Sequence, residues 1–358
     1  MTEHTTPVYL NTAACGLIAN TVLQTGLHLY QGFENIASAA SEHWRDVQAP
    51  EIRSHIARFI ASGPENIALI PNFSYGLNAV VQALSGQEKV LLYRKDFPSV
   101  FIPFVINHFK VVWLDDDDGF SIDLNKIESL IRSEKIDVVA ISHVQWHSGF
   151  RIDLQALCSR CRELGARTII DATQSLGAVN ISVSEIQPDV FIASNYKWMN
   201  AGFGTGLLYM SPEFAAQYPP RISGAHSNAF QFADLSFRQN TSVTNYEPGS
   251  PNMFGFSILN KAIEEKSSRG MDHIEAHNRM LTASLLQQLS IPVVGGRNLQ
   301  NRSSIVVLRE ENGLHEFLLK NNIITTLRNG HIRISIHFHN TAADIERLLQ
   351  CIGEHYSR

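Results

Sequence analysis

Two neighbouring apolar runs near the middle of the chain are each followed by residues that could do chemistry. The stretch reads IIDATQSLGAV…DVFIASNYKWMNAGFGTG, in which Asp171 ends one run, Gln174 comes shortly after it, and Lys197 follows the next run. In an open α/β sheet, ligands bind at the carboxyl ends of the strands. If both runs are strands, Asp171 and Lys197 can face one bound molecule.

The pairing of an aspartate with a lysine meets the needs of one cofactor, pyridoxal 5′-phosphate. This cofactor requires a lysine amine that binds it covalently and an acid that keeps its pyridinium nitrogen protonated, so that the ring accepts electrons. A neighbouring carboxylate raises the pKa of that nitrogen because it favours the charged form. We assign the amine to Lys197 and the carboxylate to Asp171, with Gln174 placed to bond the phenolic oxygen of the ring.

The elements that must position these residues follow a simple order. Short apolar runs alternate with helical stretches through the first two thirds of the chain, and most of the runs lack polar alternation. This pattern is typical of strands that helices cover on both faces. It predicts an α/β fold with a mainly parallel, seven-stranded sheet sandwiched by helices. The predicted strands are 67–70, 89–93, 111–114, 138–142, 168–171, 190–194 and 206–210, and the helices between them are 76–84, 100–108, 124–133 and 154–164.

The pattern changes after the seventh predicted strand. Residues 218–252 are rich in Pro, Ser, Asn and Gly and weakly periodic, which indicates a long connecting or active-site segment. An α+β pattern follows and predicts a smaller C-terminal domain. We therefore divide the chain into an N-terminal arm at 1–19, a large cofactor-binding domain at 20–245 and a small domain at 246–358. The small domain is predicted to contain helices at 256–268, 272–289 and 342–355 and strands at 304–308 and 331–336.

Composition and charge exclude several classes of partner. The 358 residues are 44% hydrophobic, and 29 Lys and Arg against 34 Asp and Glu give a net charge of −5. This mildly acidic balance gives no electrostatic reason to expect nucleic acid or an anionic membrane as a partner. No apolar run reaches the roughly 18 residues that could span a membrane, and the first residues lack the basic and apolar regions of a secretory signal. We therefore expect a soluble, cytoplasmic protein.

The chain resembles a known family at several places. Asp171, Gln174 and Lys197 with their flanking residues, YLNTAACG near the start and IRISIHFHNTAADIERL near the end are similar to fold-type I pyridoxal-phosphate enzymes of the class V aminotransferase branch. This branch includes cysteine desulfurases, kynureninase and isopenicillin N epimerase-like proteins, and YKWMNAGFGTG is locally similar to kynureninase. The resemblance covers nearly the whole chain. It implies pyridoxal 5′-phosphate as cofactor, an amino acid as substrate, no metal, and a homodimer with active sites at the subunit interface.

The resemblance also assigns residues to the cofactor. Ser74 and Tyr75, in PNFSYGLNAV, match the turn that holds the phosphate through backbone N–H groups and a hydroxyl, although a Ser before a helix is also an ordinary N-cap. Phe97, in DFPSVFIPF, matches the residue that stacks on the pyridine ring. Ser194 and Tyr196 match positions that contact the phosphate, and many members of the family have His where this chain has Tyr196.

Three further residues are assigned to the substrate and to the neighbouring subunit. Ser250, in YEPGSPN, stands where the family usually has a Thr that reaches the phosphate of the other subunit. Trp146, in HVQWHSGFRID, lies at a strand end near the ring and the substrate. Arg333 matches the arginine that binds the substrate carboxylate, a task that suits the planar guanidinium fork. Arg328, in the same segment, is expected to face solvent.

These features favour a pyridoxal-phosphate enzyme of amino acids, with a class V aminotransferase as the leading interpretation. A lyase, hydrolase or epimerase related to kynureninase or isopenicillin N epimerase is the alternative, and intact Asp171, Gln174 and Lys197 argue against a catalytically silent binding protein. Cysteine desulfurase is disfavoured because that reaction needs a nucleophilic cysteine, which the family carries on a loop shortly before the arginine segment. The corresponding stretch IITTLRNGHIRIS has none, and we expect neither Cys15 nor Cys351 to serve.

Overall fold

The computed structural model describes residues 6–239 and 242–357, in which helices flank one large sheet and smaller groups of strands accompany it. No helix in these two ranges combines the length and the apolar composition needed to cross a bilayer. The helices are α1 (Asn20–His43), α2 (Ala49–Phe59), α3 (Phe73–Ala83), α4 (Pro98–Ile106), α5 (Leu124–Glu134), α6 (Leu154–Glu163), α7 (Val183–Ile186), α8 (Pro212–Gln217), α9 (Met253–Arg269), α10 (Met271–Gln288), α11 (Leu314–Lys320) and α12 (Ala342–Tyr356). The strands are β1 (Val8–Tyr9), β2 (Ile67–Ile70), β3 (Lys89–Tyr93), β4 (Lys110–Leu114), β5 (Val138–Ser142), β6 (Arg167–Asp171), β7 (Val190–Ser194), β8 (Gly206–Met210), β9 (Asn228–Gln231), β10 (Ser236–Gln239), β11 (Ile305–Arg309), β12 (Ile323–Ile324), β13 (Thr326–Arg328) and β14 (His331–Ser335).

The large sheet has the strand order β2-β8-β7-β6-β5-β3-β4. Its pairs are parallel except the two that β8 makes with β2 and β7. Strands β5, β7 and β8 are buried at every residue, as expected for strands with helices on both faces. The predicted α/β class and the mainly parallel, seven-stranded sheet are therefore confirmed, and the predicted bounds of these strands are close to the observed ones.

The prediction contains no element between the N-terminal arm and β2, where the structure places the long helix α1 and helix α2. Within α1, only Val22 and Gly26 are fully buried, and Leu29 and Phe33, which follow them at helical spacing, pack against the core while partly exposed. The helix packs on α9. A Cβ on Gly26 would lie 2.9 Å from side-chain atoms of both Ile258 and Phe254, and the glycine therefore permits this close approach.

A three-stranded antiparallel sheet, β11-β14-β13, shares a core with α10, α11 and α12 in the C-terminal part of the fold. The N-terminal segment joins this part, because β1 pairs with β12 and the Ser335 N–H donates to Leu10 O at 2.8 Å. Arg333 lies in the middle of β14, opposite Val307 on one side and Thr326 on the other. The domain boundaries drawn from the sequence stay a prediction.

The segment predicted as a long connection contains an antiparallel hairpin formed by β9 and β10. Three of its large apolar side chains are exposed, with Phe232 at 87%, Leu235 at 72% and Phe237 at 68%. The hairpin therefore packs little of its apolar surface against its own chain.

Candidate active site

A cavity of about 390 Å³ lies at the carboxyl edge of the large sheet, where β6 and β7 end. These strands are parallel neighbours, with Asp171 opposite Ile192, so the residues that follow them lie at one edge of the sheet, as predicted. Of the residues assigned from the sequence, the cavity is lined by Ser74, Phe97, Trp146, Asp171, Gln174, Ser194, Tyr196 and Lys197, and it is also lined by Asn72, Phe73, Ser99, Ser142, Thr173, Phe203 and Gly204.

Asp171 and Lys197 are a buried acid and a buried amine in the wall of the same cavity, 6% and 7% exposed. The Thr173 N–H donates to Asp171 Oδ1 at 2.8 Å and orients the carboxylate. Burial raises the pKa of Asp171 to about 6, and burial lowers the pKa of the Lys197 amine to about 8 against the opposing effect of Asp171. Near neutral pH the carboxylate is mostly ionised, and more of the amine than usual is in the neutral form that attacks a carbonyl.

The N-terminal arm covers the loop that carries the lysine. The Gly16 N–H donates to Tyr196 O at 2.8 Å, and a Cβ on Gly16 would lie 2.0 Å from Lys197 O. The glycine of YLNTAACG is therefore required by the close approach of two backbone segments. Cys15 lies near enough to Lys197 for each group to affect the pKa of the other, a proximity that the sequence did not indicate.

Gln174 is fixed by hydrogen bonds to two distant parts of the chain. Its Nε2 donates to Ala13 O at 3.1 Å, and its Oε1 accepts from Trp198 Nε1 at 2.7 Å. Because an amide group has two N–H donors, one donor remains for an acceptor in the cavity. The arrangement suits the predicted contact with the phenolic oxygen of a cofactor ring.

Hydroxyl groups and a helix N-terminus lie together in another part of the cavity wall. Helix α3 begins at Phe73, and its N-cap is Asn72, whose side chain accepts a backbone N–H of the first turn. Ser74 is therefore not the cap; its Oγ donates to Ser99 Oγ at 2.9 Å, and Ser194 Oγ accepts from the Phe73 N–H at 2.8 Å. A helix N-terminus with hydroxyl groups beside it is suited to a phosphate.

Aromatic rings surround the lysine amine. Lys197 Nζ lies 5.5 Å from the centroid of the Phe97 ring and 5.4 Å from that of Tyr196. Trp146 meets Phe97 edge to face at 5.8 Å and 75°, whereas Tyr196 is stacked on Phe203 at 4.5 Å and 18°. A flat ring attached to Lys197 therefore has the Phe97 ring within reach for an offset aromatic contact.

Asp96 is a buried acid next to the cavity that the sequence analysis missed. Its carboxylate accepts from the Ser142 N–H at 2.8 Å, from Gln145 Nε2 at 3.3 Å and from the Phe97 N–H at 2.7 Å. Burial raises the pKa of Asp96. The residue fixes the end of β5 and the backbone of Phe97, and its only signal in the sequence is an acid directly before that ring.

Arg333 is buried beside the cavity and is 5% exposed. Its Nη1 donates to Trp146 O at 2.7 Å, whereas its Nε has no partner among the described residues. Burial lowers the pKa of Arg333 to about 10, so the side chain stays a cation at neutral pH. Its charge also lowers the pKa of Lys197, which indicates that the guanidinium and the amine lie within electrostatic range. Arg328 is exposed, as expected.

Three residues assigned from the resemblance do not line this cavity, namely Arg333, Tyr75 and Ser250. Tyr75 packs against the hydrophobic core that includes α3 and is not part of the cavity wall. Ser250 is exposed. Its predicted target is the phosphate of the neighbouring subunit, and that assignment stays a prediction.

The residues present fit pyridoxal 5′-phosphate. The cavity offers an amine, a carboxylate for a ring nitrogen, an aromatic face and hydroxyl groups beside a helix N-terminus, which together match the reactive and anionic parts of this cofactor. Within residues 6–239 and 242–357, no group of His, Cys, Asp and Glu is arranged to hold a metal ion.

Comparisons with known proteins find relatives along most of the chain. A probable cysteine desulfurase of Pyrococcus abyssi is 25% identical over 360 residues, which cover 91% of this chain and 86% of that protein. An uncharacterized aminotransferase of Schizosaccharomyces pombe is 26% identical over 323 residues, which cover 85% and 81%.

Solved structures share the fold. A cysteine desulfurase from Thermococcus onnurineus matches with a TM-score of 0.86 at 22% identity, covering 97% of this chain and 94% of that one. The cystine C-S lyase C-DES matches with a TM-score of 0.87 at 17% identity, covering 96% of each chain. The family model for class V aminotransferases matches residues 8–348. The chain therefore belongs to the class V aminotransferase family, whose enzymes depend on pyridoxal 5′-phosphate.

Proposed function

We propose that the protein acts on an α-amino acid and that its reaction is transamination. The observation that supports this most is the buried Lys197 amine, which shares a cavity with the Asp171 carboxylate and lies within electrostatic range of buried Arg333. An amine that binds the cofactor, an acid for the ring nitrogen and a guanidinium for a carboxylate are the groups that an amino acid substrate requires.

Each of these residues has its own task. The cofactor, when bound, supplies an aldehyde that combines with amines and a ring that withdraws electrons. Asp171 keeps a proton on the ring nitrogen, and Arg333 orients the substrate by its α-carboxylate. Lys197, once the substrate amine has taken its place, takes a proton from one carbon and returns it to another. Its lowered pKa suits this task, because an amine that titrates near neutral pH can both accept and donate a proton.

Cysteine desulfurase is the second candidate, because several of the similar proteins carry that name. The geometry of the segment before Arg333 favours transamination instead. Strands β13 and β14 are joined by a tight turn, in which Asn329 has a φ of +48° and Gly330 a φ of +72°. An Asn-Gly turn of this kind closes a hairpin in two residues. This short hairpin contains no cysteine, and its two-residue turn is too short to carry one over the cavity.

The cysteines of the chain are also poorly suited to take up sulfur. Cys158 and Cys161 are buried in α6, and burial raises the pKa of each thiol to about 12. Cys351 is buried in α12. Cys15 lies near Lys197, but burial raises its pKa as well, which lowers the fraction of the nucleophilic thiolate.

A panel of amino acids tests the proposal. The cofactor-loaded enzyme is mixed with each common amino acid, and the visible absorbance and the products are followed. Transamination predicts that the absorbance of the lysine-bound cofactor gives way to that of its amine form, together with one equivalent of oxo acid. With cysteine and a thiol reductant, we expect no sulfide. Sulfide release that is lost in Cys15→Ser and kept in the control Cys351→Ala would refute transamination in favour of a desulfurase.

We propose further that the protein is a homodimer, and we keep the cytoplasmic location as a proposal. The exposed apolar side chains of the β9–β10 hairpin and the exposed position of Ser250 support a second subunit. Sedimentation tests the dimer, and mixing Lys197→Ala with Ser250→Ala subunits tests the shared site. If Ser250 serves the neighbouring phosphate, each hybrid dimer has one intact site and mixing restores activity. No gain on mixing would place Ser250 outside the partner's site.

A further inference from the structure

A lysine and a histidine that have no task in the proposed reaction are buried behind the loop that carries Lys197. Lys266 of α9 is 2% exposed, and His337, which follows β14, is fully buried. Lys266 Nζ lies 3.2 Å from His337 Nε2. A buried amine is costly unless its donors are bonded, and lysine is almost never fully buried unless it is paired. The burial of these two side chains must therefore be explained by the groups to which they are hydrogen-bonded.

Both side chains bond the turn that follows Lys197. Lys266 Nζ donates to Asn200 Oδ1 at 3.0 Å, and His337 Nε2 lies 3.0 Å from the same oxygen and 3.0 Å from Trp198 O. The Asn200 N–H in turn donates to Lys197 O at 3.1 Å. Asn200 has a φ of +59°, a left-handed conformation that asparagine adopts more readily than most residues. The buried pair fixes its side-chain oxygen.

The hydrogen bonds of the pair are satisfied when both groups are neutral. Asn278 Nδ2 lies 3.4 Å from His337 Nδ1, so Nδ1 accepts and Nε2 carries the proton. That single N–H lies within reach of Trp198 O, Asn200 Oδ1 and the lone pair of a neutral Lys266 amine, whose own N–H groups donate to Asn200 Oδ1 and to Gly177 O at 3.4 Å. Burial lowers the pKa of both Lys266 and His337 well below their ordinary values, in agreement with this arrangement.

The same cluster reaches two more residues of the candidate site. The Trp198 indole meets the His337 ring edge to face at 5.1 Å and 82°, and its N–H donates to Gln174 Oε1 at 2.7 Å. His337 also follows closely on Arg333 in the same segment. The cluster thus joins the strand that carries the guanidinium to the loop that carries the amine.

We propose that Lys266 and His337 are positioning residues, which hold Lys197 and Arg333 at the separation that the reaction needs. Neither side chain lines the cavity, so they act through the turn after Lys197. The inference rests on the proposed roles of Lys197 and Arg333. Small displacements of a proton-transferring group slow a reaction strongly. The residues proposed to bind the phosphate lie on other elements, at α3, so we expect loss of the pair to leave them in place.

Lys266→Met tests this inference on the cofactor-loaded enzyme. Methionine keeps an apolar chain of similar length, removes every hydrogen bond of the amine and leaves no buried charge. We expect kcat to fall by about tenfold or more, with an altered visible circular dichroism per bound cofactor, because this signal reports how the lysine holds the ring. The melting temperature should not fall in proportion. Lys266→Gln, which keeps an N–H donor, should recover part of both signals.

Lys261→Met is the matched control, because this lysine lies on the same helix with a side chain that is 38% exposed. It should leave kcat and the circular dichroism unchanged. If Lys266→Met does not fold, Asn200→Gly is the second variant, since glycine keeps the left-handed backbone and removes the oxygen that both side chains bond.

The inference is overturned if Lys266→Met keeps the wild-type kcat and the wild-type circular dichroism per bound cofactor. The same holds for Asn200→Gly where that variant is used. A loss of melting temperature alone, with kcat per bound cofactor unchanged, would overturn it as well. A wild-type protein that converts no amino acid would instead refute the proposed function, so the two failures are distinguishable.

Discussion

Arg333 offers the sharpest test of the proposed substrate class, because its guanidinium is buried and only partly engaged. Nη1 donates a hydrogen bond to Trp146 O, whereas Nε has no partner among the described residues. Nε and Nη2 form one edge of the guanidinium, and such an edge binds both oxygens of a carboxylate. Arg333→Ala should therefore remove two charge-assisted hydrogen bonds to the substrate.

The size of the effect follows from this count. A hydrogen bond to a charged group contributes roughly 1.5–3 kcal/mol. Because two bonds from one group are not additive, about 3 kcal/mol for the pair is a reasonable figure, which corresponds to roughly 100-fold or more in KM. Arg333→Lys should recover little, since one ammonium cannot bond Trp146 O and both carboxylate oxygens with the same geometry.

The assay compares an amino acid with the amine of the same side chain that lacks the carboxylate. Arg333→Ala should raise KM for the amino acid, leave the reaction with the amine unchanged, and preserve the absorbance of the lysine-bound cofactor. Exposed Arg309, at the end of strand β11, is the control, and Arg309→Ala should change neither substrate. An equal loss for both substrates, or an unchanged KM for the amino acid, would refute the assignment of Arg333 to the carboxylate.

The remaining predictions concern the acid and the amine in the cavity. Lys197→Ala should abolish the adduct that borohydride fixes and essentially all turnover; a retained adduct would mean that another lysine binds the cofactor. Asp171→Asn should keep the cofactor bound but lower kcat by at least about tenfold, because a neutral amide does not stabilise a protonated ring nitrogen; near-normal turnover would contradict this role. In the cofactor-free protein, the rate of covalent cofactor binding should rise with pH and level off above about 8, because burial lowers the pKa of Lys197 and only the neutral amine attacks. A rate that still climbs toward the ordinary lysine value of about 10.4 would contradict that shift.

The strands of the large sheet could be predicted because their signal is local. Each is a short apolar run between breaks, and burial on both faces removes any need for polar alternation. The position of Asp171 and Lys197 at one edge then follows from parallel pairing alone. Helix α1 was missed although its apolar residues Val22, Leu29 and Phe33 recur at helical spacing, so this element could have been predicted as well.

The parts of the site that escaped prediction depend on contacts between distant segments. Gln174 bonds Ala13 and Trp198, and Gly16 meets Lys197 across the fold. No periodicity or motif in one segment encodes such a meeting. The cap of α3 shows that even a local feature can be ambiguous in the sequence. Asn72 and Ser74 are both residue types suited to an N-cap, and in the structure Asn72 is the cap.

The choice between transamination and sulfur removal cannot rest on the solved structures, since at 22% and 17% identity they share the fold with this chain and no more. It cannot rest on Asp171 and Lys197 either, because both reactions require the same acid and the same amine. The difference must lie in what else reaches the substrate. Here the segment before Arg333 is a tight hairpin without a thiol, and the thiol near the amine, that of Cys15, has a raised pKa. The lack of a suitable nucleophile for sulfur therefore argues against a desulfurase, and the roles proposed for Arg333 and Lys197, holding a carboxylate and moving a proton, suit transamination.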